Sequence, residues 1–120
     1  INGKDEKLWL ILAEAQIANK QYKNALNSLN KAEQINSNSS EIYFAKSNIF
    51  LKISQQKNAK SALEKGIKIE PNNHKAIFQL GNVLLMEKNY FGAIKQFDKS
   101  LKIKPDFWQA INNQGLAYSR

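Results

Sequence analysis

The sequence contains no cysteine, one histidine and a single arginine among 120 residues. Without cysteine there is no disulfide, no thiolate nucleophile and no thiolate zinc site. The lone imidazole, His74, has no second histidine or cysteine to complete a recognisable metal site. No Gly-rich phosphate loop and no nucleophile elbow occurs, so no catalytic residue, no metal, no cofactor and no small-molecule substrate is expected. The one arginine is the last residue, Arg120. That argues against a specific reader of nucleic acid, which relies on guanidinium forks and stacking aromatics. No apolar run approaches the ~18 residues of a membrane helix; the longest is Leu8 to Ala13. No signal-peptide pattern is visible. The compartment stays open, with the cytoplasm favoured.

Proline and glycine are scarce too, at two and five residues, but their placing is informative. Pro71 and Pro105 are 34 residues apart, as are Gly81 and Gly115, Ser47 and Gly81, and Ala59 and Ala93. A fixed offset of this size marks a repeat architecture. It divides the chain into blocks 6–39, 40–73 and 74–107 and a partial block, 108–120. Each full block holds two apolar stretches with helical spacing. In the third, Ile77, Leu80, Gly81, Leu84 and Leu85 share one helix face, and Ala93, Ile94, Phe97 and Leu101 share another. Glu87-Lys88-Asn89 between them is short and polar, which suits two antiparallel helices. Pro71 and Pro105 stand where the second helix must stop, and Asn72-Asn73 and Asp106 are candidate caps for the next one.

The pattern within the period is large at position 4 (Trp9, Tyr43, Ile77, Ile111) and small at position 8 (Ala13, Ser47, Gly81, Gly115). Alanine follows at position 20 (Ala25, Ala59, Ala93), then a large residue at 24, a small one at 27, and Pro71 and Pro105 at 32. This resembles the tetratricopeptide repeat (TPR) family along essentially the whole chain. The resemblance implies an all-α fold: a right-handed superhelical solenoid of antiparallel helix pairs, with three units plus the first helix of a fourth. Three departures carry expectations. Ser37 replaces proline in the first block, so that turn should be looser. Gln56 and Lys60 occupy usually aromatic and aliphatic positions, so the turn within the second block should pack least well. Gln16 sits where an aromatic is usual.

The resemblance also implies a function: a scaffold that binds a peptide or protein segment in a groove lined by the first helix of each pair. Leu10 and Glu14 fall on that face in the first block, with Ile11 beside them. Phe44 and Asn48 follow in the second, Lys75, Phe78, Gln79 and Asn82 in the third, and Asn113 in the last. Phe44 and Phe78 share a register position and are expected as exposed aromatic rungs; Asn48 and Asn82 are expected as an amide ladder. Members of the family that clamp a terminal carboxylate use lysine, asparagine and arginine at set positions. Here one window of those positions reads Leu10, Glu14, Ala45, Lys75, Gln79 and the next Phe44, Asn48, Gln79, Gln109, Asn113. Each matches once, and Glu14 would repel a carboxylate, so a carboxylate-clamp co-chaperone is not expected.

The net charge is +8, and most of the excess falls on the second helices: Lys57, Lys60, Lys65 and Lys68, then Lys95, Lys99, Lys102 and Lys104. Such a face favours acidic partners or peripheral contact with an anionic membrane, in a salt-dependent way. Helix 108–120 lacks a partner helix, so a longer array, or self-association through this C-terminal helix, is expected.

Overall fold

The computed structural model describes residues 5–120. Among these residues every regular element is a helix: α1 (Glu6–Ala18), α2 (Tyr22–Ile35), α3 (Ser40–Lys52), α4 (Gln56–Ile69), α5 (His74–Met86), α6 (Tyr90–Ile103) and α7 (Trp108–Tyr118). The starts of α1, α3, α5 and α7 are each 34 residues apart, and so are those of α2, α4 and α6. No helix is long and apolar enough to cross a membrane among the described residues.

Each of α1/α2, α3/α4 and α5/α6 is joined by three residues, and the three turns are closed in the same way. In the last one Asn89 N–H donates to the Leu84 carbonyl at 2.9 Å and Lys88 N–H to that of Leu85 at 3.0 Å. The residue that reverses the chain is left-handed each time: Lys20, Ser54 and Lys88 at φ 60°, 61° and 63°. None is glycine, the residue that takes this conformation without steric cost. The second turn, expected from the sequence to pack least well, is closed by the same two backbone bonds as the others. Its Gln55 N–H reaches the Phe50 carbonyl at 2.8 Å, because the closure uses backbone groups that Gln56 and Lys60 do not alter.

The Ser37 connection between blocks is held by side-chain hydrogen bonds. Asn38 N–H donates to the Asn36 side-chain oxygen at 3.0 Å, a local turn closed by an amide side chain. The Tyr43 hydroxyl then donates to the Ser37 carbonyl at 2.9 Å. Both bonds close a turn that has no proline. At the other connections α4 and α6 stop at Ile69 and Ile103, just ahead of Pro71 and Pro105. Asn73 caps α5 by accepting from Ala76 N–H at 3.1 Å. Asp106 does not cap α7: its N-cap is Phe107, with no side-chain bond, and Asp106 lies 3.8 Å from Lys104.

The chain forms two compact units that divide between Ile69 and Glu70. The first holds α1 to α4. Its core joins Ala13, Ala25, Leu29, Ala32, Ile42 and Ile49, with Trp9, Leu10 and Ile17 packed on them. Gln16, in place of an aromatic, accepts from the Ser28 hydroxyl at 2.7 Å. The second holds α5 to α7, around fully buried Phe97 with Ile77, Leu80, Val83 and Leu84. Glycine at 81 is required there: a Cβ would lie 2.5 Å from a Phe97 ring carbon.

Candidate functional site

The first helix of each pair carries the residues that the sequence reading placed in a groove. In the first unit α1 leaves Glu14 and Ile11 exposed, the latter by 61%. Leu10 is half-buried and packs against the α1–α2 core. On α3, Asn48 is exposed. Phe44 is not the exposed rung expected from the sequence. It is half-buried, and its ring lies so close to Gly66 of α4 that a Cβ there would overlap it.

In the second unit Lys75 and Gln79 are exposed on α5, as is Met86, its last residue. Phe78 is again half-buried. Its ring centroid is 4.9 Å from that of Phe107 and 5.9 Å from that of Phe97. Both phenylalanines therefore spend much of their surface on their own unit. The reason is local: one faces a glycine notch and the other two aromatic rings, and each closes over it.

The amides behave differently. In the second unit Asn113 of α7 donates to the Asn82 side-chain oxygen at 2.7 Å. Asn82 donates in turn to the Gln79 side-chain oxygen at 3.4 Å, a long bond. Gln79, Asn82 and Asn113 thus form one run across α5 and α7. The run still offers the Asn113 carbonyl oxygen at one end and the Gln79 amino group at the other, an acceptor and a donor set at fixed spacing. The sequence placed these three residues on one face; their mutual bonding became visible only in the fold.

The lysines of the second helices are largely exposed. Lys57, Lys65 and Lys68 project from α4, and Lys95, Lys99 and Lys102 from α6, while Lys60 is half-buried. The carboxylate nearest in sequence to the α6 lysines, Asp98, accepts from Gln114 of α7 at 2.6 Å. In the first unit the sequence reading missed a cluster between α2, α3 and α4. The Lys46 ammonium pairs with the Glu33 carboxylate, and Lys65 sits 5.9 Å over the Tyr43 ring. An open cavity of ≈ 230 Å³ lies among Glu33, Tyr43, Lys46, Phe50, Asn58 and Lys65. Burial, with the negative charge of Glu33 next, holds the Tyr43 phenol above its ordinary value. Glu33 and Lys46 occupy no matching position of the period, so no repeat signal pointed to them.

Comparison with known proteins identifies the pattern. Two family models, each described as tetratricopeptide repeat, match residues 6–39 and 40–73 in one case and 74–107 in the other. No curated protein sequence matches significantly. Among solved structures, a MamA protein is 26% identical over 97% of this chain, with a TM-score of 0.89. This chain spans 63% of that protein's length. The TPR domain of Arabidopsis OM64 is 20% identical over 96% of this chain and 95% of its own, at a TM-score of 0.88. The first TPR of Spaghetti (RPAP3), solved with the HSP90 peptide SRMEEVD, is 12% identical over 99% and 94%, at 0.90. The last two likenesses concern the fold alone.

Proposed function

This chain belongs to the tetratricopeptide-repeat family, and we propose that it is a non-catalytic scaffold that binds an extended peptide or protein segment along its odd-numbered helices. The observation that carries the reading is the amide run Gln79–Asn82–Asn113. Side-chain amides held in place by one another lose little freedom on binding, and they match the alternating donors and acceptors of a peptide backbone. Exposed Lys75 beside them, and Met86 and Leu116 at 49% and 45% exposure, supply charge and apolar contact in the same unit. In the first unit Glu14, Ile11 and Asn48 play the corresponding part. Phe44 and Phe78 support the face from beneath and are not its anchors.

The HSP90 peptide bound by the Spaghetti domain is acidic at its end. This chain presents Glu14 where the clamp of such members needs asparagine, and Gln79 and Asn113 where it needs a cation. The preferred ligand is therefore an internal or mixed-charge segment and not a terminal carboxylate.

A peptide library selected on the protein tests this. Binders should weaken on Gln79→Ala with Asn113→Ala, and on Asn48→Ala, at unchanged helical content. They should be indifferent to Lys95→Glu with Lys99→Glu. Binders that ignore the amide variants, respond to the α6 charge reversals and vanish with added salt would replace this reading with electrostatic docking of the lysine face on an acidic or membrane surface.

A further inference from the structure

A second groove runs through the first unit. Its floor is one face of α3, where Tyr43, Lys46 and Phe50 recur at i, i+3 and i+7. By the same helical spacing Asn48 falls on the opposite face. One wall is Glu33 of α2 with Ser37 and Asn38 of the turn that follows. The other is a stripe of α4: Asn58, Ser61, Lys65 and Lys68. Two open cavities occupy the groove, one of ≈ 230 Å³ at the Asn58 end and one of ≈ 450 Å³ at the Lys68 end. Tyr43 and Lys65 line both, so the two adjoin. Every wall lies within residues 33–69 of one compact unit.

The charges of the groove are unequal. Glu33 is the one carboxylate that lines either cavity, and Lys46, its side chain only 14% exposed, holds it in an ion pair. Lys65 and Lys68 are exposed and pair with no carboxylate among the described residues. Lys65 stands instead over the Tyr43 ring, 5.9 Å from its centroid, an attraction that directs the ammonium across the floor. Two uncompensated cations one helical turn apart mark one end of the groove. Asn58 and the Ser61 hydroxyl mark the other; Asn58 spends an amide N–H on Gln55 and keeps its carbonyl oxygen as an acceptor.

Length selects the ligand further. From Asn58 to Lys68 α4 rises about 15 Å, the span of four or five extended residues at about 3.3 Å each. Side chains two apart on an extended segment share a face and stand about 6–7 Å apart. That is close to the ~5–6 Å between helix positions one turn apart. We infer that this groove binds a short extended acidic segment of a partner protein, with carboxylates two residues apart on Lys65 and Lys68 and a polar residue at Asn58 and Ser61. The Glu33–Lys46 pair sets the register, because a carboxylate placed deeper in the groove meets Glu33. The site lies in the other unit from the amide run and does not rest on the reading of the odd-numbered helices.

The probe is the capped, labelled peptide Gln-Ala-Glu-Ala-Glu, with its reversed sequence, followed by anisotropy at low and physiological salt. One of the two orders should bind saturably, and more weakly as salt rises. Lys65→Gln with Lys68→Gln should weaken it about three- to tenfold, the worth of two exposed ion pairs. Against a peptide with glutamine for both glutamates the same change should make no difference, which couples the lysines to the carboxylates. Lys95→Gln with Lys99→Gln removes as much charge from α6 and should leave binding as it was. Ser61→Tyr keeps every charge, fills the cavity from an exposed position and should weaken binding. Gln79→Ala with Asn113→Ala should have no effect here, so failure of this inference and failure of the amide reading stay distinct. The inference is overturned if neither order binds, or if the α4 lysine variant or Ser61→Tyr binds as the parent does. It is overturned too if the α6 variant weakens binding as much as the α4 one, or if inorganic phosphate at the peptide's concentration displaces the peptide.

Discussion

Gly81 and Gly115 occupy one register position, yet alanine at the two sites should shift stability in opposite directions. In either helix the exchange removes the conformational cost of glycine, a gain of about 1 kcal/mol. At Gly115 nothing opposes it, because the new Cβ has no neighbour within 4 Å. At Gly81 the Cβ would sit 2.5, 2.8 and 3.0 Å from three ring carbons of Phe97. That ring is fully buried, with the Phe78 ring at 5.9 Å beside it, so it has no solvent to retreat into. Overpacking of this kind costs about 1–3 kcal/mol, and three close ring atoms argue for the upper half. Gly81→Ala should therefore destabilise by about 1–2 kcal/mol, and Gly115→Ala should stabilise by up to about 1 kcal/mol. Urea unfolding read by far-UV circular dichroism and tryptophan fluorescence measures both. The two probes must coincide, since repeat arrays can lose cooperativity. Equal effects at the two glycines, or a Gly81→Ala protein as stable as the parent, would refute the packing argument.

Lys88→Gly should raise stability by about 0.5 kcal/mol, the relief of a left-handed non-glycine residue less the added freedom of the unfolded chain; chemical denaturation checks it. Asn73→Ala should cost about 1 kcal/mol by removing the α5 cap, whereas Asp106→Ala, which caps nothing, should leave the midpoint unchanged. Tyr43 contributes to an alkaline limit. Its phenol is held above the ordinary value of about 10, so the folded state keeps the proton longer than the unfolded chain. The associated stability is complete below pH ~10 and is lost as pH rises through the folded value. Tyr43→Phe should flatten the alkaline part of a pH–stability curve, at the expense of the bond to Ser37.

The helices and their pairing were legible in the sequence because a 34-residue period and a 3.6-residue period must be satisfied together. Ile77, Gly81 and Leu84 could be placed on one face, and Pro71 and Pro105 at helix ends, from spacing alone. The turns were less legible. Lys20, Ser54 and Lys88 carry no glycine to announce a left-handed residue, so only their backbone bonds reveal that the three turns are one turn repeated. The amide face was legible as a row of positions. Its internal bonding was not, since a separation of 31 positions between Asn82 and Asn113 says nothing about the rotamers that bring them together.

What the sequence determined alone is the register: which residues share a face, where each helix ends, and which positions must be small. Register is a property of spacing along the chain, and spacing survives whatever the helices pack against. What only the tertiary structure decided is depth. Phe44 and Phe78 hold the same register position as exposed rungs would, yet Gly66 admits one ring, and Phe97 and Phe107 engage the other. Burial depends on the surface that lies opposite, and that surface belongs to another helix.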